Sequence, residues 1–376
     1  MADSDVLIVG GGPAGLALAL SLADSGQRIV VADARDAAAV SADPRALALA
    51  HGSRLMLDRL GVWRELDATA IHTIHVSQRG GFGRTVLRAT ELGVPALGHV
   101  VSAGALAAAL RRTVEAAGIE VRDNSQVGDI DSDTDAARAT LDGTPFSARL
   151  IVRAEGGPGD GADVTTRDYA QHALIADVTP RDGHGNLAFE RFTPQGPLAL
   201  LPFGDNYASV LVTSGDSADR LTALDDNAYL DHLQQTIGNR TRLTAVGPRV
   251  RYPLALRYRR STAGRRTAWL GNAAQTLHPV AGQGFNLALR DVHALAMALR
   301  DASDPGAADL LAAWARGRRL DRAGTIGFTD SLIRVFANDF PPLAMARGLG
   351  LATLDLCAPL RGFVARRMMF GTRAWP

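Results

Sequence analysis

The sequence predicts an α/β fold: a Rossmann-like nucleotide domain, an inserted and mostly antiparallel β-sheet domain, and a C-terminal helical segment. Three observations predict it. Near the N-terminus an apolar run, a glycine cluster, a helix-favouring stretch and a second apolar run follow in the order strand, tight turn, helix, strand. From Tyr169 to about Ala268 the texture changes to short alternating runs separated by Gly, Pro, Asn and Asp, which marks antiparallel sheet. Strand and helix signals then return, so the nucleotide domain is discontinuous. The expected division assigns residues 1–75, 97–168 and 268–335 to that domain, 76–96 and 169–267 to the inserted sheet, and 336–376 to the helical segment.

Asp5 to Val9 is a β-branched apolar run, Leu16 to Ala23 favours helix, and Arg28 to Ala32 is the second strand. A helical pattern is read over Ala46 to Leu60, and alternating polarity around Ile71 to Gln78 predicts a strand leaving this unit. Ser102 to Ala117 reads as an N-capped helix, with strands at Ile119 to Arg122 and Ala148 to Ala154. Ala188 to Phe192, Leu198 to Phe203 and Tyr207 to Thr213 are the clearest strands of the inserted sheet. A short strand at Ala268 to Leu270 and a helix from Gly284 through Leu299 rebuild the first domain. Beyond about Phe336 the chain reads as helical and basic.

With 376 residues, 47% hydrophobic and 21% charged, the chain has material for about two packed domains. All 40 basic residues are arginine. Without lysine, a P-loop NTPase, a Schiff-base enzyme and a protein kinase are excluded. The single Cys357 excludes an internal disulfide framework and a dithiol redox pair, and fits a reducing, cytoplasmic setting. No metal site is expected. A net charge of +1 with 11 Phe, 4 Trp and 5 Tyr does not suit nucleic-acid binding. Charge is uneven, though: from Arg316 onward ten arginines face four aspartates. The uncharged run Val6 to Ala23 is broken by glycines and preceded by Asp3 and Asp5, so it reads as neither membrane span nor signal core.

Two segments carry chemistry. In VLIVGGGPAG, Gly10, Gly12 and Gly15 have the G-x-G-x-x-G spacing, with Pro13 and Ala14 opening the helix. Gly10 permits the turn, Gly12 lets backbone N–H groups approach a diphosphate, and Gly15 lets helix pack on strand. Asp33, 21 residues past Gly12, ends the next strand where a carboxylate can accept from ribose hydroxyls, and Ala34 and Arg35 follow it. These features alone admit FAD or NAD. The second segment runs from Trp269 to Val292, with Gly282, Gly284 and Asn286 opening a long helix whose N–H groups point at whatever lies before it.

The pattern of Gly271, Asn272, Pro279, Gly282, Gln283, Gly284, Phe285 and Asn286 resembles the flavin-binding segment of FAD-dependent aromatic hydroxylases, the family typified by p-hydroxybenzoate hydroxylase. The resemblance implies that Gly271 and Asn272 lie near the ribityl and pyrophosphate, and that the Gly282 to Asn286 turn lies beside the isoalloxazine. Asp43, Pro44 and Arg45 resemble a D-x-R segment whose arginine reaches flavin and nicotinamide phosphates, although an arginine opening a helix is also an ordinary solvated residue. Arg153, Ala154, Glu155 and Gly156 fall where relatives carry alanine-aspartate-glycine, with Glu replacing Asp. Asn272 also replaces an Asp, and Ser102-Ala103 stands where many relatives have an arginine.

VSQRG (Val76 to Gly80), FERFTPQGPLALLP (Phe189 to Pro202), YPLAL (Tyr252 to Leu256) and DRAGTIGFTDSLIRVFAN (Asp321 to Asn338) extend the likeness over nearly the whole chain. They are similar to the polyprenyl-methoxyphenol hydroxylases of ubiquinone biosynthesis within that family. The resemblance implies an FAD-dependent monooxygenase that uses NAD(P)H and O2, through a flavin C4a-hydroperoxide, to add a hydroxyl para to a phenol on a prenylated ring. A sister hydroxylase acting at another ring position, or a flavin reductase that inserts no oxygen, are the alternatives.

Such chemistry calls for an apolar, closable pocket between sheet and flavin. Phe192, Leu198, Leu200 and Pro202 are candidates to line it, or else to pack the core. His278 is the candidate to assist phenol deprotonation, or else a structural hydrogen-bonder. A long isoprenoid tail places the substrate in membrane. The C-terminal arginines, interleaved with Leu351, Leu354, Leu356, Phe363, Val364, Met368, Met369 and Phe370, read either as a dock for the inner face of the cytoplasmic membrane or a partner of the same pathway, or as a cap over the flavin domain.

Overall fold

The computed structural model describes residues 2–336 and 341–372; Asn338, where the last sequence stretch ends, lies outside them. Ser4–Val9 pairs in parallel with Ile29–Ala32 on one side and Thr144–Arg153 on the other, which puts the apolar run at the centre of the first sheet. Alternation then decides what each side chain meets. Val6 and Ile8 pack with helices Pro13–Ser21, Ala103–Ala116 and Gln283–Leu299, while Leu7 faces the hairpin of Val127–Ser132 and Ala137–Leu141. Both faces are covered, so Val6, Leu7 and Ile8 are all fully buried.

The second sheet has nine strands and is antiparallel except where Leu187–Thr193 runs parallel to Thr73–Gln78. Its back face packs on helices Gly215–Thr222 and Asp226–Ile237 through Leu198, Leu200, Tyr207, Tyr229 and Leu233. Its front face looks toward the first domain across a large cavity. The antiparallel region already begins at Val164, within a strand that reaches Pro180. Sequence texture missed the two back-face helices, whose apolar positions are too few to stand out from the surrounding alternation.

Ala46 to Leu60 is not one helix. Ala46–Ala50 is a strand, and only His51–Arg59 is helical. Alanine and leucine favour helix, but here every residue of the stretch pairs with Gly98–Ser102, and the Asn286 side chain satisfies the strand further by donating to Ala48 O and accepting from Ala50 N. Arg45 therefore precedes a strand and does not open a helix.

Ala103–Ala116 is capped as expected, the Ser102 hydroxyl accepting from Ala105 N. A 29-residue helix, Ala308–Phe336, crosses the first domain and leads to Pro341–Leu356 and Ala358–Phe370. The last two meet at 98°, and among the described residues no single helix is long and apolar enough to cross a membrane.

Candidate active site

The first glycine turn is built by contact. A side chain at Gly10 (φ +114°) would lie 2.7 Å from the Ala154 backbone, and one at Gly15 would lie 2.0 Å from Gly10 O. A side chain at Gly12, by contrast, would meet nothing within 4 Å, because Gly12 faces the cavity. The helix starting at Pro13 has no side-chain cap, so its first N–H groups look into that space.

Asp33 sits behind this turn. One carboxylate oxygen accepts from Gly11 N at 2.6 Å, and the other accepts from Arg35 N at 2.8 Å. Burial pushes its pKa up, but the hydrogen bonds and charge of Arg35 outweigh that and hold it below the ordinary carboxylate value. Asp33 is 5% exposed and does not line the cavity, nor does the outward-facing Ala34; Arg35 does line it. Gly11 and Arg35 thus orient the Asp33 carboxylate from the inner side of the turn.

The second segment closes on the first. Gly271 (φ +56°) approaches so near that a side chain there would lie 3.1 Å from Ala14 Cβ. Gly282 (φ +59°) is the uncapped N-terminus of Gln283–Leu299, and a side chain on Gly284 would meet nothing within 4 Å. Asn286 is not a cavity residue. Only 2% exposed, it makes four hydrogen bonds, to Ala50 N, Ser53 Oγ, Ala48 O and Gly282 O, and so fixes the turn against the strand. Gln283 is likewise turned inward and donates to Ala281 O. Gly10 and Gly15 act through packing.

Gly12, Pro13, Ala14, Arg35, Arg45, Glu155, Gly156, Gly271, Asn272, Pro279, Gly282, Gly284 and Phe285 converge on one cavity of about 1040 Å³. That exceeds the roughly 300–1,000 Å³ usual for one small ligand. Arg45 is clasped by both oxygens of Asp43. Glu155 pairs with Arg153 through one oxygen, while its Oε2 is buried without a partner.

The sheet face opposite follows the same parity rule. Phe192 lines the cavity and packs against Val280 of the second turn, stacking at 3.7 Å on Phe336. Leu198 and Leu200 face away into the back-face core, and Pro202 pairs with Tyr207 of that core. As pocket candidates these three are corrected by one residue, since Pro197, Ala199 and Leu201 have the parity that meets the cavity.

His278 also lines the cavity, 2% exposed, with its ring edge-on to Tyr169 at 5.5 Å. Burial pulls its pKa down to about 4, so the ring is neutral. Nδ1 accepts from Val280 N at 3.1 Å, which leaves the proton on Nε2, a buried atom without a partner. His278 therefore carries its proton on Nε2 and is poorly suited to take another.

Glu190 escaped the sequence reading. It lies inside FERFTPQGPLALLP, and only strand parity distinguishes it from the back-face Arg191 beside it. Of the C-terminal residues, Leu351, Leu354, Val364 and Met368 line the cavity, and Met369 and Phe370 pack with Leu87 and Leu97. Leu356 and Phe363 are exposed, at 86% and 68%.

The family model described as FAD binding domain matches residues 3–326. The chain belongs to that FAD-binding family. It is an FAD-dependent monooxygenase, and NAD(P)H and O2 are the co-substrates of such enzymes. Ubiquinone hydroxylase UbiL of Rhodospirillum rubrum is 34% identical over 383 residues, covering 97% of this chain and 89% of that protein. The 3-demethoxyubiquinol 3-hydroxylase of Escherichia coli is 31% identical, covering 95% of this chain and 96% of that protein. Among solved structures, p-nitrophenol 4-monooxygenase PnpA of Pseudomonas putida superposes with a TM-score of 0.76 at 16% identity, covering 97% of each chain, a likeness of fold. The monooxygenase cavity fits FAD on its own features: Gly12, Gly156 and Gly284 are open, two helix N-termini are uncapped, and Glu155 Oε2 and His278 Nε2 await partners.

Proposed function

We propose that this monooxygenase hydroxylates a prenylated methoxyphenol in ubiquinone biosynthesis, at the position para to the phenol. The observation that carries the proposal is the shape of the cavity. It runs from the two glycine turns, past an apolar sheet face, to the C-terminal helices, where Leu343, Leu351, Leu354, Leu360, Val364 and Met368 continue its lining. A polar ring with a long apolar tail suits that gradient, whereas a small hydrophilic phenol leaves its far half unsatisfied.

In this reading Gly12, Pro13 and Ala14 at the helix N-terminus would hold the FAD diphosphate, with Arg35, Glu155, Gly156, Gly271 and Asn272 around the cofactor. Pro279 and the Gly282 to Phe285 turn would hold the isoalloxazine, where the helix N-terminus favours negative charge. Bound FAD, reduced by NAD(P)H, supplies the activation of O2. The protein holds the ring, excludes water with Phe192, Val280 and Phe336, and offers Arg45 at the entrance to the nicotinamide phosphates. His278 donates Nε2–H to an oxygen in the cavity.

The helices that line the tail end of the cavity also expose Met345, Leu349, Leu356, Leu360 and Phe363. An apolar face continuous with the cavity, in a segment rich in arginine, suits the anionic inner surface of the cytoplasmic membrane, from which the substrate is drawn. Loss of flotation with anionic vesicles in Leu356→Ser/Phe363→Ser supports this, and unchanged flotation refutes it.

A second ring position is favoured by the Escherichia coli relative, whose name specifies hydroxylation at position 3. Complementing strains that each lack one ubiquinone hydroxylase, and identifying the quinone each accumulates, decides between them. Labelled oxygen found in water or peroxide and never in product refutes hydroxylation altogether.

A further inference from the structure

The front face of the second sheet around Glu190 is apolar apart from Thr85, which pairs with Val76. Around Glu190 the register places Val76 on one neighbouring strand and Ala199 on the other, with Val210 beyond Ala199. All of them line the cavity. Glu190 Oε1 is buried without a hydrogen-bond partner. Two residues along the same face, roughly 7 Å away at strand spacing, Phe192 packs on Val280 of the second turn, so the carboxyl looks across the space between sheet and turn. A carboxylate oxygen left unpaired in such surroundings is costly to the fold, and that cost points to a ligand with a donor to offer.

We propose that Glu190 is the catalytic base, accepting the proton from the ring hydroxyl of the bound phenol. The proposal rests on the phenol-hydroxylase reading above. The O–H bond of the phenol breaks, its electron pair stays on the ring oxygen, and an O–H bond forms on the Glu190 carboxylate. The phenolate then pushes electron density to its para carbon, and the proton leaves to solvent when product departs. Burial alone raises the Glu190 pKa from 4.5 to about 7. Against a phenol near 10, that rise narrows the proton-transfer gap by roughly 300-fold.

Of the other titratable groups lining the cavity, Arg35 is engaged with Asp33, Arg45 with Asp43, Arg361 with Glu91 and Arg347 with Val335 O, while Glu155, held by Arg153 through Oε1 and with Oε2 unpartnered, lies beside Gly156 at the glycine-turn end and not on the sheet face. His278 has its only acceptor nitrogen occupied by Val280 N–H.

The test uses the FAD-loaded full chain as wild type, Glu190→Gln and Glu190→Asp, with 2-prenyl-6-methoxyphenol as probe. Wild type makes product at a rate that rises with pH through about 7. Glu190→Gln makes product at least about ten-fold more slowly and loses that rise, while Glu190→Asp keeps the rise at a reduced rate. FAD content equal to wild type reports an intact fold, and if Glu190→Gln fails to load FAD, the Asp variant carries the comparison. Wild-type rates in Glu190→Gln, or a preserved rise with pH, overturn the assignment and leave the reading of function standing. If wild type makes no hydroxylated probe, the reading of function fails instead. Glu190 is then judged by probe binding, followed by fluorescence quenching. A pH dependence through about 7 that Glu190→Gln abolishes supports it, and one it leaves unchanged overturns it.

Discussion

A carboxyl held in an apolar cavity costs stability whenever it is ionised, and Glu190 gives that cost a measurable form. In the unfolded chain Glu190 ionises near 4.5; in the folded protein burial raises the value to about 7. Between those values the folded state holds a proton that the unfolded state has released, so wild type loses stability as pH rises across the window. The full shift corresponds to roughly 3.4 kcal/mol. Because the side chain faces a space that water enters, about 2 kcal/mol is the expected size. Glu190→Gln has no such titration and should exceed wild type by about 2 kcal/mol at pH 8, an advantage that shrinks by more than half at pH 5. Urea unfolding of both proteins at the two pH values, in the same excess of FAD, measures it. Any pH-independent effect of the amide cancels between the two. A stability difference that stays constant from pH 5 to pH 8 refutes the reasoning, because the carboxyl would then be solvated like any surface glutamate.

His278 titrates in the opposite sense. Its folded pKa of about 4 lies below the ordinary 6.5, so stability is lost as pH falls from 6.5 toward 4, and His278→Leu should flatten that loss in the same unfolding series. Asn286→Ala leaves four hydrogen-bond partners unanswered, Ser53 Oγ buried and the others partly so, and should cost about 3 kcal/mol of stability along with FAD retention; an unshifted urea midpoint refutes its bridging role. Arg318 lies between Asp291 and Asp321 at 2.6 and 2.5 Å, so Arg318→Leu should cost about 3–5 kcal/mol in thermal or urea unfolding. The glycines of the first turn should separate cleanly. Gly15→Ala fails to fold because its Cβ meets Gly10 O, whereas Gly12→Val folds but binds FAD weakly, which titration of the apoprotein with FAD by flavin fluorescence reports.

Much of the site was legible because its chemistry is written in backbone requirements. Gly10, Gly12 and Gly15 each answer a separate steric demand at fixed spacing, and Gly271 and Gly282 carry the positive φ that their turns need. Such demands are local and leave a signature in any sequence. Ala46 to Ala50 misled because its helix propensity was overridden by pairing with a strand about fifty residues away. Leu198 and Leu200 misled for a different reason: alternation reveals that a strand has two faces without saying which one meets the ligand.

Sequence by itself determined the glycine turns, the order of strands and helices around them, and the absence of lysine chemistry, since each depends on residue type at short range. Only the tertiary structure decided that Asp33 and Asn286 support the site from behind, that His278 has its Nδ1 taken by Val280 N–H, and that Glu190 sits among Val76, Ala199 and Val210 on the cavity side of its sheet. Those outcomes depend on which hydrogen-bond partners and which sheet face the fold brings together, and no spacing along the chain encodes that.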